Sequence, residues 1–191
     1  LKTDFEQSDF FDASFAYADC RGTNFRNADL RGTRFHGAKL AGAIFDGADL
    51  RSGRIIREGK NSNQADLSSA DMPDTDFADA QLQHADMSES NLKKASFAGA
   101  AMNSVDLTGA DLRQALLDGA NLRGANLTAS RLSDLSLVGA VLDAAIFDQA
   151  HLAAARLDGA RVRGADPRCA LGPSGRGRDR LAAPRARAAH P

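Results

Sequence analysis

Histidine and cysteine are the residues of this chain whose side chains most readily bind metals or act in catalysis. The four histidines are His36, His84, His151 and His190. No two of them share a metal-ligand spacing, and none lies beside a cysteine. The two cysteines, Cys20 and Cys169, are too far apart to indicate a disulfide framework or a zinc cluster. Nucleophile elbows, phosphate loops and dinucleotide fingerprints are also missing from the sequence. We therefore expect no enzyme activity, no metal and no cofactor.

Aspartates that recur at a fixed interval are the other groups that could carry chemistry. One set is Asp9, Asp29 and Asp49, and a second is Asp66, Asp86 and Asp106. If such carboxylates were stacked they would repel one another, so they would need solvent, counter-ions or a basic partner. Aspartate in a turn can also simply accept hydrogen bonds from the local backbone. The choice between these interpretations depends on the fold that positions the aspartates.

A large apolar residue occupies every fifth position over most of the chain. The first register runs from Phe5 to Leu50, and the second from Leu67 to Val162. The residue two positions before a centre is small in most repeats and is most often alanine, with Val105 and Leu135 as exceptions. A period of five matches neither the 3.6 residues of a helix turn nor the 2 of a strand. The pattern indicates an internal repeat.

A coil with four sides accounts for this period. If each five-residue unit forms one side, the chain returns to its starting point after four units, and equivalent residues stack about 4.8 Å apart. The large and small residues would both point inward, because a narrow interior has room for only one large side chain at each site. The stacking predicts one ladder of Phe5, Phe25 and Phe45. It predicts a second of Phe15 and Phe35 and a third of Phe77 and Phe97.

The repeat units resemble those of a known family. The segments concerned are Ala28-Asp29-Leu30-Arg31-Gly32, Ala65-Asp66-Leu67-Ser68-Ser69, Ala110-Asp111-Leu112-Arg113-Gln114 and Ala120-Asn121-Leu122-Arg123-Gly124. They are similar to the A-(D/N)-L-x-x unit of the pentapeptide repeat proteins. The resemblance implies an all-β fold, a right-handed, quadrilateral (four-sided) parallel β-helix solenoid, and a bacterial origin.

Breaks in the register divide the chain into four parts. We expect a first β-helix block at 1–50, an inserted basic loop at 51–64, a second block at 65–165 and a disordered Arg/Pro/Gly/Ala-rich tail at 166–191. The loop could be a tolerated insertion. It could equally be a contact for a partner, because Arg54 and Arg57 flank the apolar pair Ile55 and Ile56.

Termini and targeting are weakly constrained by the sequence. The repeat is already under way at Leu1, so we expect residues before it to be missing. We expect a cytoplasmic protein without a membrane span, since no apolar run approaches about 20 residues, and secretion stays open. Some relatives form dimers through an apolar helical module after the repeats. This chain has no convincing counterpart, so its oligomeric state is open.

Charge is the main clue to function. Residues 66–111 hold two basic and nine acidic residues, a net charge of −7. The first hypothesis is a non-catalytic scaffold for a protein partner. The alternative, implied by the resemblance, is a DNA mimic that binds DNA gyrase and alters quinolone sensitivity, and a secreted bacterial effector is a third. We expect no direct binding of nucleic acid by the acidic rod. The candidate contact residues are Arg54, Ile55, Ile56, Arg57, Asp66, Asp71, Asp76, Asp86, Asp106 and Asp111.

Overall fold

The computed structural model describes residues 3–51 and 64–165. Within these ranges the chain forms no helix and no strand of consecutive residues. Each repeat contributes a single bridge residue, then an inward centre and a two-residue turn. Parallel bridges join equivalent positions four repeats apart, as in the series Asp66, Asp86 and Asp106. Four repeats therefore make one coil, and the coils stack into a β-solenoid, as the period of five predicts.

Backbone hydrogen bonds between neighbouring coils hold the stack together. The N–H of Leu112 donates to the carbonyl oxygen of Arg131 at 2.9 Å, and the N–H of Arg131 donates back to Ala110 at 2.9 Å. Leu112 and Leu132 consequently lie on adjacent coils, which confirms the predicted stacking. Because each coil bonds only to its neighbours, stability is close to a sum of nearest-neighbour terms.

The corners of the coil are tight turns with one left-handed residue. In the first of them Ser8 donates its N–H to the carbonyl oxygen of Phe5 at 3.1 Å, and Gln7 has a φ of 56°. A positive φ at the third position alone is typical of a type II turn. Pro73 occupies the second position of such a turn, where its fixed φ is favourable.

Centres and small residues fill the interior together, as predicted, and Cys20 is buried among them. The phenylalanine rings stack along the axis, with centroids 5.0 Å apart for Phe25 and Phe45 and 5.0 Å for Phe77 and Phe97. Phe45 and Phe77 also stack, at 4.8 Å. The prediction of a separate third ladder was therefore wrong. Phe77 and Phe97 continue the first ladder, because the inserted segment does not shift the register of the coil.

The insertion lengthens one coil without changing its path. Bridges that span it join Arg34 with Asp66 and Asp49 with Gln81, whereas bridges elsewhere join partners such as Asp66 and Asp86. The gap in the described ranges, 52–63, accounts for the whole of the extra separation. Arg51 and Gln64 therefore occupy the two positions of one corner. The loop residues Arg54, Ile55, Ile56 and Arg57 and the tail 166–191 lie outside the described residues.

Each side of the coil is named here after its first bridge residue beyond the insertion. The Asp66 side carries Ser14, Arg34, Asp66, Asp86, Asp106, Asn126 and Ile146. The Asp71 side carries Asp19, Lys39, Asp71, Asn91, Asp111, Arg131 and His151. The Asp76 side carries Asp4, Asn24, Ile44, Asp76, Ser96, Leu116, Ser136 and Arg156. The Gln81 side carries Asp9, Asp29, Asp49, Gln81, Ala101, Asn121, Val141 and Arg161.

Candidate interaction surface

The six candidate aspartates all lie at bridge positions, but they are spread over three sides of the rod. Asp66, Asp86 and Asp106 form one uninterrupted ladder. Asp71 and Asp111 lie on the next side, with Asn91 between them, and Asp76 lies on the third. Only the first three therefore form a continuous row of carboxylates.

On the Asp66 side each aspartate accepts hydrogen bonds from the turn that follows it. Oδ1 of Asp86 accepts the backbone N–H of Ser88 at 3.0 Å and its hydroxyl at 2.7 Å. Asp66 and Asp106 make the equivalent pairs of bonds with Ser68 and Thr108. The interpretation of these aspartates as turn acceptors is thereby confirmed. The second carboxylate oxygen, Oδ2, makes no hydrogen bond within the described part of the chain.

The same ladder has one basic neighbour at a bridge position in the described ranges, Arg34 beside Asp66, and that arginine pairs with Asp12 at 3.3 Å. No ion pair involves Asp66, Asp86 or Asp106 there. Repeats 65–69, 85–89 and 105–109 contain these three residues and Glu89, and they contain no lysine or arginine. Four negative charges thus lie along two coil spacings, about 10 Å. These repeats form the strip that lacks internal charge compensation.

Two aspartates of the earlier ladder on the Gln81 side, Asp29 and Asp49, are compensated by arginines. Nη2 of Arg31 lies 2.5 Å from Asp29, and its Nε lies 3.8 Å from Asp49, so one guanidinium spans two coils. Arg51 pairs with Asp49 at 2.7 Å. Hydrogen bonds from Arg31 hold the pKa of Asp29 below its usual value, against the opposing effect of burial. The charges of Asp29 and Asp49 are therefore compensated, whereas Asp9 makes no ion pair within the described ranges.

Asp111 is the most strongly compensated of the candidates. Arg113 lies 2.7 Å from its carboxylate, and Lys93 and Arg131 each lie 3.6 Å away. Burial raises the pKa of Asp111, but hydrogen bonds from Arg113 outweigh this effect, so the net shift is downward. With three cations around it, Asp111 has little charge left to attract a partner.

The charge compensation of Asp71 and Asp76 is intermediate between that of Asp111 and that of the row on the Asp66 side. The turn after Asp71 begins at Pro73, which has no N–H, so Asp71 accepts instead from the side-chain amide of Asn91 at 2.7 Å. Asp76 accepts the N–H of Ala78 at 3.0 Å. Neither has an ion pair within the described ranges, but neither belongs to a continuous carboxylate row.

A cluster that the sequence did not predict lies at the edge of the Asp66 side. Nδ1 of His36 lies 2.9 Å from the hydroxyl oxygen of Ser68, which donates to Oδ1 of Asp66 at 2.6 Å. The Ser68 proton is directed to the carboxylate, so His36 must donate to Ser68 rather than act as its base. In a hydrolytic triad the carboxylate orients the histidine and the histidine accepts the serine proton. The separation of His36 and Ser68, one coil plus the insertion, could have indicated the contact.

The described residues offer neither a metal-binding cluster nor a membrane-spanning helix. Across residues 3–51 and 64–165, no group of three or more His, Cys, Asp or Glu side chains is arranged to hold a metal ion. The same residues include no helix with the length and apolarity needed to cross a bilayer. Arg51 and Gln64, which flank residues 52–63 in the sequence, lie at the corner between the Gln81 side and the Asp66 side.

Solved structures provide comparisons for this architecture. A trypsin-treated variant of QnrB1, a plasmid-mediated fluoroquinolone resistance protein, is 18% identical with a TM-score of 0.50, and the match covers 80% of this chain and 86% of that one. HetL of the cyanobacterium Nostoc sp. strain PCC 7120, a pentapeptide repeat protein involved in heterocyst differentiation regulation, is 26% identical with a TM-score of 0.36, and the match covers 92% of each chain. Curated protein sequences give no match.

The family comparison covers most of the repeats. The model for pentapeptide repeats matches in eight copies, at residues 18–52, 63–99, 95–134, 106–142 and 136–166. These matches span both registers of the period-five pattern. Together with the stacked coils of four repeats, they establish that the chain belongs to the pentapeptide repeat family.

Proposed function

We propose that this chain is a non-catalytic, right-handed, quadrilateral parallel β-helix that presents its Asp66 side to a basic protein partner. The observation that carries the proposal is the contrast between aspartate ladders. Asp29 and Asp49 are paired with arginines, whereas Asp66, Asp86 and Asp106 make no ion pair among the described residues. An uncompensated, regularly spaced row of carboxylates is suited to bind a surface with lysine or arginine side chains.

Electrostatics favour such a partner. The row retains one free carboxylate oxygen per coil after the turn bonds are made. A basic partner would relieve the repulsion between neighbouring carboxylates while leaving those turn bonds intact. Association through charges at an exposed surface speeds encounter and selects against acidic partners, and it weakens as salt is added.

Other candidate residues have subsidiary parts in this proposal. The loop residues Arg54, Ile55, Ile56 and Arg57 would add contacts beside the Asp66 side, since the anchors Arg51 and Gln64 lie at its edge. Asp71 and Asp76 would contribute at the margins. Asp111 would contribute least, because Lys93, Arg113 and Arg131 already neutralise it.

The test is a capture experiment with two matched triple variants. D66N/D86N/D106N removes the uncompensated charges, and D9N/D29N/D49N removes a ladder of the same size on the Gln81 side. Asparagine preserves the turn, because Asn126 in the same ladder accepts the N–H of Thr128 at 3.2 Å and its hydroxyl at 2.7 Å. Both variants therefore change charge without removing the turn acceptors.

Capture from a bacterial lysate with a chemical cross-linker provides the readout. We expect a partner that is retained by the wild type and by D9N/D29N/D49N and lost with D66N/D86N/D106N. Retention by both variants, or loss with both, would show that the Asp66 side is not the contact surface. Increasing the salt concentration during capture should release the partner from the wild type.

A DNA mimic that binds DNA gyrase is the second candidate function. The Asp66 side gives the DNA-mimic function some support, because this side holds four acidic residues in about 10 Å. A DNA duplex carries about six charges over the same length. The fold shared with QnrB1 is compatible with this function. Against it, the Asp71 side presents Lys93, Arg113 and Arg131, where a duplex would continue its negative charge.

A supercoiling assay separates the two candidates. A mimic should inhibit DNA supercoiling by gyrase or alter quinolone-induced cleavage, and D66N/D86N/D106N should weaken that effect. If the wild-type chain changes neither activity over a wide concentration range, the gyrase interpretation is wrong and the general scaffold remains. For either candidate we propose the bacterial cytoplasm as the compartment and residues 166–191 as an appended tail.

A further inference from the structure

Three Asp-Gly pairs occupy equivalent turns of the solenoid. They are Asp46-Gly47, Asp118-Gly119 and Asp158-Gly159. The glycines have nearly the same left-handed backbone, with φ of +66°, +69° and +69°. The pairs therefore share sequence and turn geometry, and they differ in what surrounds the reacting atoms.

Asp-Gly pairs undergo a spontaneous rearrangement whose atoms balance without a co-reactant other than water. The glycine nitrogen attacks Cγ of the aspartate, the new N–C bond closes a five-membered succinimide, and one water molecule leaves. Water then opens either carbonyl of the ring and restores aspartate or gives isoaspartate. The mass of the chain is unchanged, and isoaspartate routes the backbone through the side chain with one extra carbon.

Two of the three pairs are held in hydrogen bonds that oppose this attack. The N–H of Gly47 donates to Ala78 at 3.0 Å, and Asp46 pairs with Arg26 at 2.9 Å. The N–H of Gly119 donates to Val138 at 2.9 Å. The carboxylate of Asp118 accepts the N–H of Val138 at 2.9 Å and the hydroxyl of Ser136. Reaction at either pair requires breaking these bonds first.

The third pair has neither restraint. Within the described residues, the N–H of Gly159 donates to no acceptor. The side chain of Asp158 is 78% exposed, and its one ion-pair contact in this part of the chain is Arg156 at 3.8 Å. Both reacting groups are thus free to move, and water has open access to Cγ.

We propose that Asp158-Gly159 is an isoaspartate-forming site, which makes the aged chain a substrate for methyltransferases that esterify isoaspartate carboxylates. Formation of isoaspartate there disturbs the last described coil. The carbonyl oxygen of Asp158 accepts from Gly139 at 2.9 Å, and Ala160 closes the turn by donating to Leu157 at 3.0 Å. With an extra backbone carbon between them, these two hydrogen bonds cannot both form, so the coil opens from this end.

Peptide mapping provides the test, because trypsin places each pair in its own peptide. Residues 40–51, 114–123 and 157–161 carry Asp46, Asp118 and Asp158 respectively. The folded full-length chain is aged at neutral pH and physiological temperature, digested, and treated with a protein isoaspartate methyltransferase and labelled S-adenosylmethionine. Asp158→Glu, which cannot form the five-membered ring, is the control for the assignment.

We expect label in peptide 157–161 at roughly tenfold or more above the other two peptides, since reaction at the other two pairs must first break the hydrogen bonds that hold them. In denaturant all three peptides should accumulate label at comparable rates, because the sequences at the reacting atoms are the same. Equal labelling of the three peptides in the folded chain would overturn the proposal. The proposal would also be overturned if peptide 157–161 acquired no label in the folded chain but did acquire label in the denatured chain.

Discussion

Phe45 and Phe77 stack face to face, with ring centroids 4.8 Å apart and ring planes 12° apart, although the insertion lies between them in the sequence. Phe77 and Phe97, which have no insertion between them, make the same contact at 5.0 Å. The core therefore passes through the insertion without a defect. The inserted segment 52–63 begins and ends at one corner of the coil, between Arg51 and Gln64.

Deleting residues 52–63 should leave the fold intact. The deletion joins Leu50-Arg51 to Gln64-Ala65, and this sequence already forms an ordinary corner as Leu112-Arg113-Gln114-Ala115. We expect the free energy of unfolding to change by no more than about 1 kcal/mol, because closing a loop of this length has a modest entropic cost. Chemical denaturation followed by circular dichroism measures the change.

The matched control for that prediction is a deletion of 52–62, which is shorter by a single residue. It removes nearly the same segment but places every later centre one position out of register. We expect this variant to lose cooperative unfolding or to be destabilised far more than the deletion of 52–63. Equal behaviour of the two deletions would contradict the assignment of Arg51 and Gln64 to a single corner.

Replacing Asp86 tests the two roles of the Asp66 side separately. Asp86→Ala removes the acceptor for the N–H and hydroxyl of Ser88, and should cost about 1–2 kcal/mol of stability. Asp86→Asn keeps the acceptor and removes one charge from a stack spaced about 4.8 Å. It should be neutral or stabilising by up to about 1 kcal/mol at low salt, and the gain should vanish at high salt.

Thermal unfolding of Asp86→Ala and Asp86→Asn at two salt concentrations distinguishes these effects. Asp29→Asn serves as a comparison, because it removes a carboxylate paired with Arg31 and should not stabilise the protein at low salt. A salt-independent gain for Asp86→Asn, or a loss as large as that of Asp86→Ala, would indicate that repulsion along the ladder is negligible.

Asp19 should titrate well below an ordinary aspartate. Hydrogen bonds from the Arg21 side chain, at 2.8 and 2.6 Å, lower the pKa of Asp19 to about 2. Because the folded-state pKa lies below the unfolded one, the ionised carboxylate contributes stability above the unfolded pKa of about 3.9. That contribution is lost as the pH falls from about 4 towards 2.

Carboxyl carbon chemical shifts followed by NMR over this pH range give the pKa directly. In the Arg21→Gln variant the pKa of Asp19 should rise towards the ordinary value, since the guanidinium is the main cause of the shift. The pKa of Asp29, which is lowered by a different arginine, should stay low in the same spectra. An unchanged pKa for Asp19 in Arg21→Gln would refute the assignment to Arg21.

The left-handed corner residues give a pair of opposite predictions. Ala129 has a φ of 57°, so Ala129→Gly should relieve backbone strain and stabilise the chain by up to about 1 kcal/mol. Gly119 has a φ of +69° and no atom within 4 Å of an added Cβ, so Gly119→Ala should cost about 1 kcal/mol through the backbone alone. If the denaturation midpoints of Ala129→Gly and Gly119→Ala shifted in the same direction, this account would be contradicted.

Much of the fold could be predicted from the sequence because its cause is local and periodic. A centre such as Leu112 and a small residue such as Ala110 recur every five positions, and only a coil places them all inside. The break was harder to interpret, since the separation of Leu50 and Leu67 is not a multiple of five. The separation of Leu50 and Leu67 equals one ordinary repeat plus the segment 52–63, which is inserted within a corner.

The charge balance of each side could not be predicted in the same way. The period indicated that Asp66, Asp86 and Asp106 would stack, and that Asp29 and Asp49 would do so as well. Whether a carboxylate is compensated depends on side-chain conformations, such as Arg31 reaching two coils. The contact of His36 with Ser68 depends in addition on the length of the insertion.

The central claim, that the Asp66 side is the surface a basic partner covers, is tested most directly by carboxylate footprinting of the chain alone and in complex with its captured partner. A carbodiimide and an amine label accessible carboxylates, and mass spectrometry quantifies each site. The account predicts that Asp66, Asp86 and Asp106 react in the free chain and are protected in the complex, while Asp29 and Asp49 are unchanged. Protection of Asp29 and Asp49 with no change at Asp66, Asp86 and Asp106 would contradict it.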